Sequence, residues 1–158
     1  MKNIVIARID ERLIHGQVAT QWLNFLNASV ICVADDATVN DVFMNMILKA
    51  ACPKKCELKV LSAEDAADYL LGEDENEKVF LITKGPQAMK VMLDKGVELK
   101  EIILGNMAMG PGRKMFNRNV AASAEEIQCF RDITESGVKI WQQMVPTDKR
   151  VDIEKLLK

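Results

Sequence analysis

This chain of 158 residues is poor in several things that mark common function classes. It has one histidine, His15, so a histidine pair for a metal and a triad with a spare imidazole are both excluded. It has four cysteines, Cys32, Cys52, Cys56 and Cys129, without the paired spacings of a zinc ribbon or a disulfide scaffold. Cys52 and Cys56 stand four apart, which fits neither a zinc knuckle nor a thioredoxin motif. All four read as small apolar residues, and no metal or cofactor is expected. No charge dominates: 21 Lys and Arg stand against 23 Asp and Glu, a net charge of −2. A nucleic-acid partner, which calls for a basic face, is not expected. No apolar run is long enough for a membrane span, and Ile4-Val5-Ile6-Ala7 is too short for a signal core. The expectation is a cytoplasmic protein with free thiols.

Glycine motifs are missing too. There is no GxxxxGK[ST], no GxGxxG after the first strand and no Gly-x-Ser-x-Gly elbow. That argues against a nucleotide-dependent enzyme and against a serine hydrolase.

What is present is a chain of ordinary globular composition, 49% hydrophobic and 28% charged, long enough for one domain over 1–158. Short β-branched runs alternate with helical patterns. Strands are predicted at 2–7, 29–34, 57–61, 79–83, 101–104 and 138–144, with a short edge strand at 119–122. A helix from about Gln17 to Phe25 places Val18, Trp22 and Phe25 on one face. Asp35 and Asp36 cap a helix running toward Ala51 and stopped by Pro53. Ser62 caps 63–71, Pro86 opens a helix ending near Gly96, and Ser123 with Glu126 forms a capping box for a helix ending at Gly137. Residues 105–112 read as a loop or short hairpin, and 152–158 as a terminal helix. The fold class is α/β: an open, mostly parallel sheet of six to seven strands with helices on both faces. Ligands of such sheets sit beyond the carboxyl ends of the strands. Those ends are 8–16, Asp35-Asp36, Ser62, Lys84-Gly85 and Gly105-Asn106.

The first of these loops is the richest. Within nine residues it holds Arg8, Asp10, Glu11, Arg12, His15 and Gly16. Arginines offer the fork that fits a phosphate, a helix start offers free N–H groups, and glycine lets the backbone come close. Histidine is a reversible nucleophile near neutral pH. The combination describes a histidine that is itself phosphorylated. The competing reading is a non-catalytic anion-binding module in which His15 only hydrogen-bonds a phosphorylated ligand.

Arg8 and the run Ile9-Asp10-Glu11-Arg12-Leu13-Ile14-His15-Gly16-Gln17-Val18 closely resemble the N-terminal signature of IIB components of the mannose-family phosphotransferase system. Asp36 with Asn40-Asp41, Gly105-Asn106-Met107, and Val145-Pro146-Thr147-Asp148 with Val151-Asp152 resemble supporting signatures of the same family. The resemblance covers essentially the whole chain. It implies that a phosphorylated IIA protein, charged through enzyme I and HPr, places a phosphoryl group on Nδ1 of His15. It further implies transfer to a sugar carried by membrane IIC and IID subunits, which would recruit the protein to the inner face of the plasma membrane. Arg8, Asp10, Arg12, Gly16 and Gln17 then bind the phosphate or support the loop, with Asp36, Lys84, Gly105 and Asn106 on the rim. The Gly-Asn-Met at 105–107 is more like the N-acetylgalactosamine branch than the mannose branch; mannose, fructose and sorbose are the other sugars. No IIA portion is present, so the donor is a separate chain or subunit. Apolar helix stripes look alike whether they face a core or a second copy, so an oligomer stays open.

Overall fold

The strands that carry the fold are those whose residues are apolar on both sides. Val30–Ala34 (β2) is buried at every position, and Lys78–Thr83 (β4) at all but its first. Runs of this kind belong in a parallel sheet covered on both faces. Together with Asn3–Ile9 (β1), Glu57–Leu61 (β3), Glu101–Leu104 (β5) and Lys139–Gln142 (β8), they form a parallel sheet. Its order is β3-β2-β4-β1-β5-β8, and a short antiparallel strand, Val151–Asp152 (β9), closes the last edge. The computed structural model describes residues 1–157, apart from the side chains of residues 17–19.

Alternate strand residues feed two cores. On one face Ile6, Ile31, Val33, Phe80, Ile82 and Ile103 pack under helices Gly16–Leu26 (α1) and Val42–Ala51 (α3) through Trp22, Leu23 and Leu48. On the other, Ala7, Ile9, Cys32, Leu81, Ile102 and Leu104 meet Ala63–Leu71 (α4), Pro86–Asp94 (α5) and Ala124–Glu135 (α6). Each fully buried aliphatic side chain contributes about 1.5–3 kcal/mol. Among the described residues, no helix is long and apolar enough to cross a membrane.

The caps behave as local chemistry dictates. Ser62 accepts from the Asp65 amide, and Ser123 with Glu126 forms a reciprocal capping box. Pro86 opens α5, and Gly96 and Gly137 take positive φ just past α5 and α6.

Five expectations need correction. The first strand runs on through Arg8 and Ile9, which pair with Ile82 and Thr83 on one side and Ile103 and Leu104 on the other. The charge of Arg8 had suggested a loop. The helix expected from Asp36 to Ala51 is two helices, Asp36–Val39 (α2) and α3, because the Asp41 side chain accepts from the Met44 amide and starts the second. Val120–Ala122 (β7) is no edge of the main sheet: it pairs with Lys114–Asn117 (β6) in a separate hairpin. The last strand of the parallel set stops at Gln142, and the terminal helix is a single 3-10 turn, Ile153–Leu156, capped by Asp152. On α1, Trp22 and Phe25 do share a face, their rings meeting edge-on with centroids 6.4 Å apart, though Trp22 is buried and Phe25 is 68% exposed; Val18 has its side chain outside the described residues.

Candidate active site

The winding of the chain across the sheet reverses between β1 and β5, which run parallel. From β1 the chain crosses to β2 on one side, and from β5 to β8 on the other. The carboxyl ends of two such adjacent strands are where sheets of this kind bind ligands, and here the loops that leave them lie against each other, the Glu11 amide donating to the Asn106 carbonyl. His15 lies in the loop after β1.

That loop is built on Asp10, which is fully buried. Its Oδ1 accepts from the Arg12 amide at 3.1 Å and from Arg12 Nε at 3.0 Å. Its Oδ2 accepts from Arg12 Nη2 at 3.0 Å and Arg8 Nη2 at 3.2 Å. The Asp10 carbonyl accepts from the Leu13 amide, closing a tight turn. One carboxylate thus sets both the turn and the two arginines.

The arginines differ sharply. Arg8 is 1% exposed. Its Nη1 donates to the Gln143 carbonyl at 3.0 Å and its Nη2 to the Met144 carbonyl at 3.1 Å, and its guanidinium lies over the Trp22 ring. Trp22 Nε1 donates to the same Met144 carbonyl at 2.8 Å. Burial pulls the guanidinium pKa down against the opposing pull of Asp10, and the group stays charged because arginine does not deprotonate in proteins. Arg8 supports the loop and holds it to the segment after β8. Arg12 is 38% exposed. Its Nε and Nη2 are taken by Asp10, and Nη1 has no partner among the described residues.

His15 is the N-cap of α1, with extended backbone, no side-chain cap and no acidic residue in the first turn. Gly16 takes φ +33 as the helix begins, and Leu13 takes φ +57, a left-handed conformation that costs a non-glycine residue roughly 1–2 kcal/mol. The left-handed turn brings the Leu13 carbonyl to 2.8 Å from His15 Nδ1. A carbonyl only accepts, so this contact requires a proton on Nδ1. Nε2 is buried and has no hydrogen-bond partner among the described residues.

The loop after β5 completes the site. Its Gly105 amide donates to Ile9, and its Asn106 carbonyl accepts from the Glu11 amide. A Cβ on Gly105 would stand 2.3 Å from Arg8 Nη2 and 2.6 Å from Asp10 Oδ2. Only glycine fits where this backbone crosses the ion pair. The segment 145–148 folds into a turn in which Val145 and Asp148 hydrogen-bond each other. Gln143 donates to Pro146 and Asp148 carbonyls, which ties that turn to the strand under Arg8.

The rim divides. Asn106 and Gly105 lie beside Asp10 and Glu11. Lys84 follows Thr83, whose carbonyl accepts from the Asp10 amide, and is half-buried. Asp36 is not brought to the site: its carboxylate accepts from the Ala63 amide at the start of α4, two strands away from β1. The Gln17 side chain lies outside the described residues. Sequence reasoning missed Arg113 and Glu126. Arg113 binds Glu126 through Nε at 2.8 Å and Nη2 at 2.9 Å, and Glu11 through Nη1 at 2.9 Å. A separation of 102 residues gave no local signal; the capping box at Glu126 was the one legible part. The thiols stand apart: Cys32 and Cys129 are buried, and burial pushes them up to about 12 and about 11. Among the described residues no group of three His, Cys, Asp or Glu could hold a metal ion.

The family model of the PTS system sorbose subfamily IIB component matches residues 4–158. The N-acetylgalactosamine-specific phosphotransferase enzyme IIB component 2 of Escherichia coli is 32% identical over 157 residues, 99% of this chain and 100% of that protein. The sorbose-specific EIIB component of Klebsiella pneumoniae is 36% identical over 152 residues, 96% of this chain and 93% of that one. The crystal structure of the IIB domain of the sorbose permease from Klebsiella pneumoniae superposes with a TM-score of 0.93 at 33% identity, covering 98% of this chain and 96% of its own. Fold, site loop and sequence agree, and the chain belongs to the mannose-family IIB components of the sugar phosphotransferase system, which are phosphotransferases.

Proposed function

We propose that His15 accepts a phosphoryl group from the phosphohistidine of a IIA unit and passes it to a sugar entering through IIC and IID subunits. The observation that carries this reading is the placing of the chain's one imidazole at an uncapped helix N-terminus, three residues from an arginine that Asp10 holds in position. An arriving phosphoryl group would meet the α1 amides, worth about 0.3–1 kcal/mol as a dipole end. It would also meet Arg12 Nη1, which has no partner among the described residues, a charge-assisted donor worth roughly 1.5–3 kcal/mol. Arg12 is therefore the phosphate ligand, and Arg8 its support. In the transfer an imidazole nitrogen of His15 bonds to phosphorus while the bond to the donor nitrogen breaks. The donor ring keeps that electron pair. Attack through Nδ1 requires the ring to leave the Leu13 carbonyl and its proton to reside on Nε2.

The whole chain acts as one IIB domain in the cytoplasm, drawn to the membrane by its transporter subunits. The mannose-specific EIIAB component of Escherichia coli joins both units in one protein, which supports a IIA donor here. The Gly-Asn-Met at 105–107 favours an amino sugar such as N-acetylgalactosamine, with a hexose such as mannose as the alternative. The test is incubation with phosphoenolpyruvate, enzyme I, HPr and IIA. One acid-labile phosphate per chain is expected, and none after His15→Ala; a protein that only binds anions gains no label.

A further inference from the structure

The loops after β1 and β5 lie against each other, and the first of them carries His15. Among the described residues, the backbone hydrogen bonds between them are those of the Gly105 amide to Ile9 and the Glu11 amide to Asn106. The rest is side-chain chemistry centred on Arg113. All three of its guanidinium nitrogens are engaged. Nε and Nη2 fork onto Glu126, whose side chain is 6% exposed. Nη1 donates to Glu11 Oε1 and to the Ala108 carbonyl, each at 2.9 Å. Glu11 uses its second oxygen to accept from the Ala108 amide at 2.8 Å. Glu126 also accepts from the Ser123 amide, so it is fixed to the start of α6.

We propose that Arg113 is a positioning residue for phosphoryl transfer: it locks the His15 loop, through Glu11, to the 105–113 loop, and anchors both on α6 through Glu126. The proposal rests on the reading of His15 as the phosphoryl acceptor. Glu11 is next to Asp10 and lies inside the turn that Asp10 and Leu13 close. A shift of Glu11 therefore moves the Asp10–Arg12 fork and the Leu13 carbonyl that orients His15. Lysine cannot take the place of Arg113, because a single ammonium cannot meet two carboxylates and a carbonyl in this planar arrangement. A misplacement of about 1 Å in a transfer site costs up to 10²-fold in rate.

A plain structural staple would lower the melting temperature and leave the transfer step alone, so the two roles separate kinetically. The experiment measures quenched-flow transfer of labelled phosphate from saturating phosphorylated IIA to the wild-type chain, Arg113→Ala, Arg113→Lys, Glu11→Gln and the Glu11→Gln/Arg113→Ala double variant. The proposal expects both Arg113 variants to slow transfer at saturation at least tenfold. It expects KM for IIA to stay within twofold and the double variant to be no slower than Arg113→Ala. If Arg113→Ala does not fold, Arg113→Lys and Glu11→Gln carry the same comparison. Wild-type transfer rates in folded Arg113→Lys and Glu11→Gln overturn the proposal, as does a loss confined to KM. If the wild-type chain itself takes no label on His15, it is the acceptor reading that fails; a labelled wild type with unimpaired variants sinks only the role of Arg113.

Discussion

Replacing Gly105 by alanine adds a single methyl group at the most crowded point of the site. The new carbon would lie 2.3 Å from Arg8 Nη2, 2.8 Å from Arg8 Cζ and 2.6 Å from Asp10 Oδ2. A flexible side-chain end could step aside, but Arg8 cannot. Its guanidinium is held by two carbonyls and one carboxylate and is 1% exposed. Either the 105 backbone moves or the ion pair opens. Overpacking of this kind costs about 1–3 kcal/mol. Breaking a buried ion pair outright costs about 3–5 kcal/mol. A loss near 3 kcal/mol is expected, because part of the clash can be relieved by displacing the loop. For a chain of this length that lowers Tm by about 6–12 °C. Circular dichroism melting of Gly105→Ala beside wild type measures it, and transfer from IIA should slow in the same protein because Asp10 also fixes Arg12. A Tm within about 1 °C of wild type with normal transfer would refute the close approach of the 105 backbone to the Arg8–Asp10 pair.

Other perturbations follow from the same contacts. Asp10→Asn removes the charge that Arg8 and Arg12 share, and leaving Arg8 buried without it should cost about 3–5 kcal/mol in urea unfolding. Arg12→Lys keeps charge but loses the fork, so it should fold with nearly wild-type Tm and transfer phosphate at least tenfold more slowly in a quenched-flow assay. Burial raises the Glu126 pKa, but the Arg113 ion pair and the Ser123 amide outweigh it and hold it below the usual 4.5. A depressed folded pKa adds stability that is present above the unfolded value and lost as pH falls through the folded one. The stability gap between wild type and Glu126→Gln, measured by urea unfolding, should therefore be full at pH 6–7 and shrink below about pH 4.5.

The fold was legible wherever one residue's chemistry decided its neighbourhood. Val30–Ala34, Ser62, Pro86 and the Ser123–Glu126 box are signals of that kind, and each element stands where its pattern put it. The site loop was legible as well, because charge, histidine and glycine fell together between a strand and a helix. What local pattern could not carry was the exchange of partners over distance. Arg8 looks like a solvated loop charge until carbonyls 135 and 136 residues away are seen to receive it. Asp36 looks like a rim acid because it follows a strand, yet it is spent on the α4 amide. Arg113 sits in a glycine-rich loop with nothing beside it in sequence to give it a role. The division between a buried Arg8 and a half-exposed Arg12 is likewise a matter of packing, which the motif does not encode.

The central claim is that His15 carries the phosphoryl group, and direct observation of the phosphorylated chain tests it. The wild-type protein, incubated with phosphoenolpyruvate, enzyme I, HPr and IIA, is followed by phosphorus NMR and by proton–nitrogen NMR of its one imidazole. The expected result is a single phosphoramidate signal, an imidazole spectrum showing phosphorus on a ring nitrogen, and loss of both in His15→Ala. A stoichiometric phosphoryl group that persists in His15→Ala, or an imidazole spectrum unchanged by the donor system, would contradict it.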